Sequence, residues 1–266
     1  MLEPGLKHLL RYLVKDIPCP TTREQRLARA EEISNLLIKR YGTGVIAICI
    51  YGSTARGEDA PYSDLEMAAV LNKNVEPFRH EFFLDGWKTE VELWTREQII
   101  EHLEDRDLNW PIQGRQFVDI LSLHDPSGFW EEVKSWAHTT VEKWDEILQE
   151  AMVGDFLESV GKYRNAKHCD DTVAMRWCAW SVTWDAIRIV GILNKIFFSS
   201  RNAAPKEAIR LPLLTPGLSE AVGLFSTGRL DDSQALDAAV EKMVRGILET
   251  CRERGTFLEN TSLPLS

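Results

Sequence analysis

The sequence predicts an α+β fold, with a mixed β-sheet and its helices in residues 1–126 and a helical bundle in residues 127–266. The first part contains short apolar, β-branched runs bounded by glycines, such as Val45–Tyr51, which are typical of buried strands. Beyond Pro126, apolar residues recur at helical spacing almost throughout, and no strand pattern is convincing. A chain of 266 residues is long enough for two such domains.

The composition is that of an acidic globular protein. A net charge of −10 argues against nucleic acid as the partner, because binding to a phosphate backbone requires a basic surface. The most apolar later run, Val182–Phe198, is interrupted by charged residues, so we expect a packed helix there and no membrane span. The five cysteines include no CxxC pair, which predicts neither a disulfide framework nor a zinc site and favours a cytoplasmic protein.

Caps, turns and periodicity predict the elements of the first part. Residues 5–15 predict a short amphipathic helix, and Thr22 with Gln25 forms a capping box from which a helix should run to about Tyr41. The Val45–Tyr51 strand follows. The other elements expected here are a strand at Asp64–Leu71, a linking segment at Pro77–Leu84, a hairpin turn at Asp85–Gly86, a strand at Trp87–Trp94, a helix from Thr95 through Leu103 and a strand at Gln116–His124.

The second part predicts helices alone. They are expected at Phe129–Gln149, Met152–His168, Thr172–Phe198, Leu218–Thr227 and Asp232–Arg254. A tryptophan stripe on the third of these helices, Trp177, Trp180 and Trp184, could serve an interface, but core packing explains it better.

A glycine–serine turn followed by two carboxylates is the most informative pattern of the chain. Asp64 and Glu66 stand two residues apart on a predicted strand, so their side chains point to the same face. Gly52 and Ser53 end the strand before them and offer backbone N–H groups and a hydroxyl to a phosphate. Carboxylate oxygens are ligands for Mg²⁺, and Glu90 on the next strand is a candidate third carboxylate. This pattern predicts phosphoryl or nucleotidyl transfer.

The spacing resembles the hG[GS] and D-x-[DE] signature of the nucleotidyltransferase superfamily that includes DNA polymerase β. The resemblance implies that Asp64 and Glu66 hold Mg²⁺ on a nucleoside triphosphate, with two ions expected, and that Gly52 and Ser53 bind its phosphates. It also implies that Glu90 assists as a third carboxylate. Displacement at the α-phosphorus builds negative charge, which divalent cations held by carboxylates neutralise.

Four longer segments narrow the resemblance: YGSTARGEDAPYSDLEM, WKTEVEL, NWPIQGRQF and ESVGKYRN. They are similar to the aminoglycoside 4′-O-nucleotidyltransferases of the kanamycin nucleotidyltransferase type, over about residues 41–165. The resemblance implies transfer of AMP from Mg-ATP to the 4′-hydroxyl of an aminoglycoside antibiotic, with release of pyrophosphate and inactivation of the drug. The implied site residues are Asp64, Glu66 and Glu90 at the metals, Gly52, Ser53, Arg56, Ser63 and Lys162 at the nucleotide, Glu81, Glu90 and Glu158 at the aminoglycoside, and Glu158 as general base.

The proposed base lies on a predicted helix far from the other residues in sequence. Asp155, Glu158 and Lys162 follow the i, i+3, i+7 spacing of one helix face. Without the resemblance an ordinary surface ion pair explains this spacing better, whereas with it the catalytic role is favoured. In relatives of this type the site lies between two subunits, so the resemblance also implies a homodimer with shared active sites.

Two other functions stay open at this point. A nucleotidyltransferase of this fold could act on a protein or on another small molecule. A catalytically idle relative could instead bind a partner, for example as an antitoxin. The intact carboxylates and the Glu158–Lys162 pair count against the idle module.

Overall fold

The computed structural model describes residues 17–72, 78–139 and 144–255, and it confirms the predicted α+β fold. The helix expected at residues 5–15 lies outside the described residues. Two compact units make up the chain: unit 1 comprises residues 1–105 and 116–138, and unit 2 comprises residues 106–115 and 139–266. Among the described residues, no helix combines the length and apolarity needed to cross a membrane.

The described secondary structure consists of five strands and a series of helices. The strands are β1 Val45–Tyr51, β2 Leu65–Leu71, β3 Phe78–Leu84, β4 Trp87–Thr95 and β5 Leu121–His124. The α-helices are α1 Arg23–Tyr41, α2 Gly52–Arg56, α3 Arg96–Glu104, α4 Trp110–Gln113, α5 Phe129–Thr139, α6 Trp144–Ala151, α7 Leu157–His168, α8 Thr172–Asn194, α9 Ala204–Ala208, α10 Leu218–Thr227 and α11 Ser233–Glu253.

Unit 1 is built on the mixed sheet, whose strand order is β3-β4-β2-β1-β5. Strands β2 and β4 run parallel, whereas the other neighbouring pairs are antiparallel. The two central strands are buried along their length except at Ile46 and Glu66, as their continuous apolar sequence predicts. Helix α1 packs its Ala30, Ile33 and Leu37 against this core. Glu66 is therefore a carboxylate on an otherwise apolar central strand.

Capping boxes fix the starts of two helices, as the sequence predicts. In α1, Thr22 Oγ1 accepts a hydrogen bond from the Gln25 N–H at 3.3 Å, and the Gln25 side chain accepts one from the Thr22 N–H at 2.9 Å. Thr95 and Gln98 make the same reciprocal pair, at 3.2 and 2.7 Å, before α3. Local side-chain hydrogen bonds thus set both boundaries.

The expectation of a linking segment at Pro77–Leu84 is wrong, because Phe78–Leu84 forms strand β3. This edge strand pairs with β4 through the predicted hairpin turn, where Asp85 and Gly86 have φ of 58° and 85°. Every β3 side chain except Phe82 is exposed, so the strand lacks the apolar run that marks a buried strand.

The strand expected at Gln116–His124 is wrong over its first part. A 3₁₀ turn occupies Gly114–Phe117, and only Leu121–His124 pairs with β1. The Asp64–Leu71 and Trp87–Trp94 strands are confirmed within one residue at their ends.

All the regular secondary structure among the described residues of unit 2 is helical, and most of its predicted helices are confirmed. The helix at Leu218–Thr227 has the predicted bounds, and Asp232 caps α11 through its side chain. The helix predicted at Thr172–Phe198 ends earlier, at Asn194, where Lys195 adopts a left-handed conformation. The helix predicted at Met152–His168 opens with a π-helical turn at Met152–Phe156.

The helix predicted at Phe129–Gln149 is described only in part, because residues 140–143 lie outside the described residues. Its described parts are α5, up to Thr139, and α6, from Trp144 onward. Core packing does not explain Trp177, whose side chain is 71% exposed. Trp180, by contrast, contacts Phe225 of α10.

The division into units also differs from the boundary expected near Pro126. Helix α5 is grouped with unit 1 up to His138, and its Glu132 pairs with Arg96 at 2.7 Å. Residues 106–115 are grouped with unit 2, where the Pro111 carbonyl accepts a hydrogen bond from the Phe198 N–H at 2.7 Å. Contacts between residues distant in sequence, rather than a linker at Pro126, decide this grouping.

Candidate active site

The register of strands β2, β4 and β3 brings acidic side chains together on one face of the unit 1 sheet. Glu66 of β2 is paired with Glu90 of the parallel strand β4, and Glu90 is paired in turn with Glu81 of β3. Residues paired across neighbouring strands point to the same face. Asp64, two residues before Glu66, and Glu92, two residues after Glu90, extend the same row. The structure thus places the predicted carboxylates of unit 1 in one cluster.

Gly52 fits against the Glu66 carboxylate. Its φ is +70°, and a Cβ atom built on it would lie 1.8 Å from Glu66 Oε2. Any side chain at this position would displace the carboxylate, in addition to adopting an unfavourable left-handed backbone. Glycine is therefore required here for two separate reasons.

Glu90 is the most enclosed of these carboxylates, with only 3% of its surface exposed. Its Oε1 accepts a hydrogen bond from the Tyr51 hydroxyl at 3.2 Å. Its Oε2 lies 2.8 Å from an Arg79 guanidinium nitrogen and 3.3 Å from Lys88 Nζ. Both oxygens have partners, so a buried carboxylate is held in one orientation.

Burial, repulsion and hydrogen bonding shift the pKa values of Glu66, Glu81 and Glu92. Burial, assisted by the charges of Asp64 and Glu90, raises the pKa of Glu66 to about 7. Burial also raises the pKa of Glu92. The Lys88 hydrogen bond, at 2.6 Å, lowers the pKa of Glu81, which is solvent-exposed. Ionisation of Glu66 is therefore disfavoured inside the cluster, whereas that of Glu81 at its outer edge is favoured by Lys88.

The predicted phosphate-binding residues of unit 1 lie in α2 and in the loop between α2 and β2, whereas Lys162 lies in unit 2. The Ser53 carbonyl accepts a hydrogen bond from the Glu58 N–H at 3.0 Å, and Arg56 pairs with Glu58 at 2.7 Å. The Ser63 hydroxyl accepts a hydrogen bond from the Ala60 N–H at 3.0 Å, immediately before Asp64. Hydrogen bonds and an ion pair within residues 53–63 therefore hold these residues close together.

A buried ion pair anchors this loop to helix α1. Asp59 lies 2.6 Å from a guanidinium nitrogen of Arg26 and 2.7 Å from one of Arg23. The Asp59 and Arg26 side chains are only 2% and 1% exposed. The hydrogen bond from Arg26 to the Ser63 carbonyl, at 3.2 Å, continues the support to the residue before Asp64. Sequence reasoning missed this anchor, because its partners are more than thirty residues apart.

The donor set suits a hard divalent cation that arrives with phosphate ligands. Asp64, Glu66 and Glu90 offer carboxylate oxygens beside the cradle formed by Gly52. Within the three described ranges, no three Asp, Glu, His or Cys side chains are grouped so that they could hold a metal ion by themselves. Protein sites for Mg²⁺ commonly use one or two carboxylates, with substrate phosphates and water as the other ligands. The residues present fit such an ion.

Glu158 and Lys162 lie in unit 2, on helix α7. Glu158 Oε1 and Lys162 Nζ are 2.6 Å apart, and their side chains are 60% and 65% exposed. The Lys162 hydrogen bond and charge lower the pKa of Glu158. The opposite side of α7 buries Val160 and Tyr163, so the helix is held by its apolar face and presents the pair to solvent.

Two further residues of the unit 1 site were missed from the sequence. Tyr51 ends β1, is paired in register with Glu66, and donates its hydroxyl to Glu90. Arg79 belongs to the unrecognised strand β3 and contacts Glu90 from the edge of the sheet. The alternation Phe78, His80, Phe82 before the Asp85–Gly86 turn is the signal that could have revealed this strand.

Comparisons with known proteins cover both parts of the chain. Residues 127–256 match the family model of the KNTase C-terminal domain. Over 243 residues the chain is 28% identical to an aminoglycoside nucleotidyltransferase (4′) from Bacillus sp., and equally to one from Staphylococcus aureus. Each alignment covers 91% of this chain and 96% of the relative.

A solved structure shares the fold at low sequence identity. It is that of a nucleotidyltransferase-like protein from Exiguobacterium sibiricum, with a TM-score of 0.55 and 8% identity. The alignment covers 85% of this chain and 77% of the other. At this identity the similarity concerns the fold alone.

The relatives and the matched family model define one class of protein, and this chain is a nucleotidyltransferase. The enzyme class predicted from the sequence is therefore confirmed. More narrowly, the chain is similar to aminoglycoside nucleotidyltransferases (4′), and its residues 127–256 match the KNTase C-terminal domain model, so the resemblance seen in its motifs is confirmed as well.

Proposed function

We propose that the protein transfers AMP from Mg-ATP to the 4′-hydroxyl of an aminoglycoside antibiotic, releases pyrophosphate and thereby inactivates the drug. The observation that carries this proposal is the row formed by Asp64, Glu66 and Glu90 beside Gly52, in a chain related to aminoglycoside nucleotidyltransferases (4′). Its acidic neighbours suit a substrate that bears several ammonium groups.

In the proposed reaction, the 4′-hydroxyl oxygen forms a bond to the α-phosphorus, and the bond from that phosphorus to the oxygen of the leaving pyrophosphate breaks. Asp64, Glu66 and Glu90 would hold two Mg²⁺ ions, which when bound neutralise the charge on the phosphate oxygens. Ser53, Arg56 and Ser63 orient the triphosphate from the loop that Asp59 anchors to α1. Fixing the phosphates in line with the acceptor supplies much of the rate enhancement.

Glu158 is proposed to accept the proton of the 4′-hydroxyl. Its pKa lies below the ordinary glutamate value because of Lys162, so it is unprotonated at neutral pH. Lys162 would contact the nucleotide phosphates. We propose that the protein is a homodimer, in which Glu158 and Lys162 of one subunit complete the site formed by unit 1 of the other.

The aminoglycoside is proposed to bind along the outer part of the acidic cluster. Glu81 and Glu90 would receive its ammonium groups, with Glu92 as a further source of negative potential. Each such contact is a charge-assisted hydrogen bond, which is stronger than a neutral one. Lys88 and Arg79 now pair with these carboxylates. The ammonium groups of the drug would either displace these two cations or bind to the same carboxylates beside them.

A pyrophosphate-release screen tests the proposal. Purified protein is incubated with Mg²⁺, one nucleoside triphosphate and one acceptor, over a panel of aminoglycosides, other alcohols and a model protein. We expect release with aminoglycosides and ATP, and a loss of at least about a hundredfold in Asp64→Asn, because one metal carboxylate is removed. Release with the protein or another alcohol alone would support a different acceptor. No release with any acceptor would support the idle partner-binding module.

A further inference from the structure

Arg79 reaches from the edge of the sheet into the acidic cluster. Its backbone is paired with that of Glu92, across the antiparallel β3–β4 ladder. Its guanidinium nitrogens lie 2.8 Å from Glu90 Oε2, 3.2 Å from Glu81 Oε1 and 3.9 Å from Glu92 Oε1. One cation thus contacts three carboxylates on two strands.

This ion pair differs from the buried pair that anchors the phosphate loop. The Glu90 side chain is 4% exposed, whereas the Arg79 side chain is 57% exposed and extends from an edge strand. Both side chains of the Arg26–Asp59 pair are buried. The Arg79 head group can therefore leave its carboxylates for water without opening the core, whereas that of Arg26 cannot.

A guanidinium on a carboxylate makes the same type of contact as the ammonium group of a ligand. We propose that Arg79 is a specificity-determining residue that occupies the carboxylate position of a substrate ammonium group, so that a polycationic substrate binds by displacing it. This inference rests on the proposed function for the identity of the substrate. Arg79 then sets how many positive charges a substrate needs in order to bind.

The expected effect of removing Arg79 follows from the contacts that remain. Without the guanidinium, Glu90 keeps the Tyr51 hydroxyl and Lys88, but one strong partner of Oε2 is lost. A substrate ammonium group can then take that position without competition from Arg79. We expect polycations to bind about tenfold more tightly, the equivalent of one charge-assisted hydrogen bond.

The test compares Arg79→Gln with the wild-type protein and with a control, Arg96→Gln. Arg96 also belongs to unit 1 and pairs with a carboxylate, Glu132 at 2.7 Å, but outside the acidic cluster. In steady-state kinetics with kanamycin, Arg79→Gln should lower the KM for the drug about tenfold and change the KM for ATP less. Arg96→Gln should change neither. Arg79→Lys, which keeps the charge but loses the guanidinium fork, should fall between Gln and wild type.

An unchanged or increased KM for the drug in Arg79→Gln, with the melting temperature preserved, would overturn the proposal. So would a fall in kcat at constant KM, since this would make Arg79 a positioning residue. If Arg79→Gln fails to fold, the same comparison is made with Arg79→Lys alone.

Calorimetry separates this inference from the proposed function. Kanamycin and spermine are titrated into nucleotide-free wild type and Arg79→Gln, so that no turnover is required. Tighter binding of both polycations to the variant supports the displacement of Arg79, even if the screen detects no nucleotidyl transfer. Equal binding overturns it, even if transfer is observed.

Discussion

Gly52 and Glu66 form a contact that leaves no room for a side chain: a Cβ atom on Gly52 would lie 1.8 Å from Glu66 Oε2. The contact joins the end of β1 to a carboxylate on β2, where the Tyr51–Glu66 register pair comes immediately before it. The turn that the sequence associates with phosphate binding thus also fixes the position of a proposed metal ligand. Gly52 thus belongs to the proposed phosphate-binding turn and also leaves space for the Glu66 carboxylate.

Gly52→Ala should therefore inactivate the protein, because the new Cβ displaces the Glu66 carboxylate. Gly57→Ala is the matched control: Gly57 has a similar φ of +74°, but the nearest atom to its added Cβ would be 3.8 Å away. Both variants incur the backbone cost of a left-handed alanine, about 1–2 kcal/mol. Pyrophosphate release and the melting temperature are measured for both variants. A loss of activity in Gly52→Ala beyond that in Gly57→Ala, at a similar melting temperature, is due to displacement of the Glu66 carboxylate. Equal pyrophosphate release by the two variants would contradict the claim that the Gly52–Glu66 contact controls the reaction.

The Asp59–Arg26 pair should contribute strongly to the stability of unit 1. Asp59→Asn leaves the guanidinium of Arg26 buried without its charge partner, which costs about 3–5 kcal/mol. Asp85→Asn is the control, because Asp85 is 69% exposed in its pair with Arg29, and a change of no more than about 1 kcal/mol is expected. Urea unfolding at pH 7, followed by circular dichroism, measures both. Similar midpoints for the two variants would contradict this account.

The same ion pair predicts a dependence of stability on pH. Burial raises the pKa of Asp59, but the hydrogen bonds from Arg26 and Arg23 outweigh burial and leave the pKa below its ordinary value of 3.8. The stabilisation is therefore complete above about pH 4, the value of an unfolded aspartate, and is lost as the pH falls through the folded pKa. The stability difference between wild type and Asp59→Asn should be constant from pH 5 to 7 and shrink towards pH 3. A stability difference that grows on acidification would contradict the predicted direction of the pH dependence.

Glu158→Gln tests the proposed general base. We expect kcat to fall by about a hundredfold or more, with a KM for the drug that changes less than about threefold. Glu131→Gln is the control, since Glu131 also belongs to an exposed helical pair, 2.7 Å from Lys134. Equal losses in kcat and in drug affinity would make Glu158 a binding residue.

Sequence reasoning predicted the parts of the site that depend on neighbours along the chain. The two-residue spacing of Asp64 and Glu66 fixes their common face, and the Thr22–Gln25 capping box fixes the start of α1. The edge strand containing Arg79 was missed, because its exposure removes the apolar pattern and only pairing with β4 reveals it.

The grouping of residues 106–115 with unit 2 could not be predicted for a similar reason. The hydrogen bond between Phe198 and Pro111 joins residues far apart in sequence, and no local pattern encodes it. The same applies to the hydroxyl of Tyr51, which reaches Glu90 across the intervening strand β2. Local periodicity and caps are encoded in short segments, whereas strand order and buried polar contacts depend on the whole fold.

Product analysis tests the central claim most directly. The protein is incubated with Mg-ATP and either tobramycin or a 4′-deoxy aminoglycoside, and the drugs are examined by mass spectrometry, with Asp64→Asn as the inactive control. We predict that tobramycin gains one adenylyl group, that the 4′-deoxy drug does not, and that the variant modifies neither. Equal modification of the 4′-deoxy drug would contradict the 4′-hydroxyl as acceptor, and an unmodified tobramycin would contradict the proposed function itself.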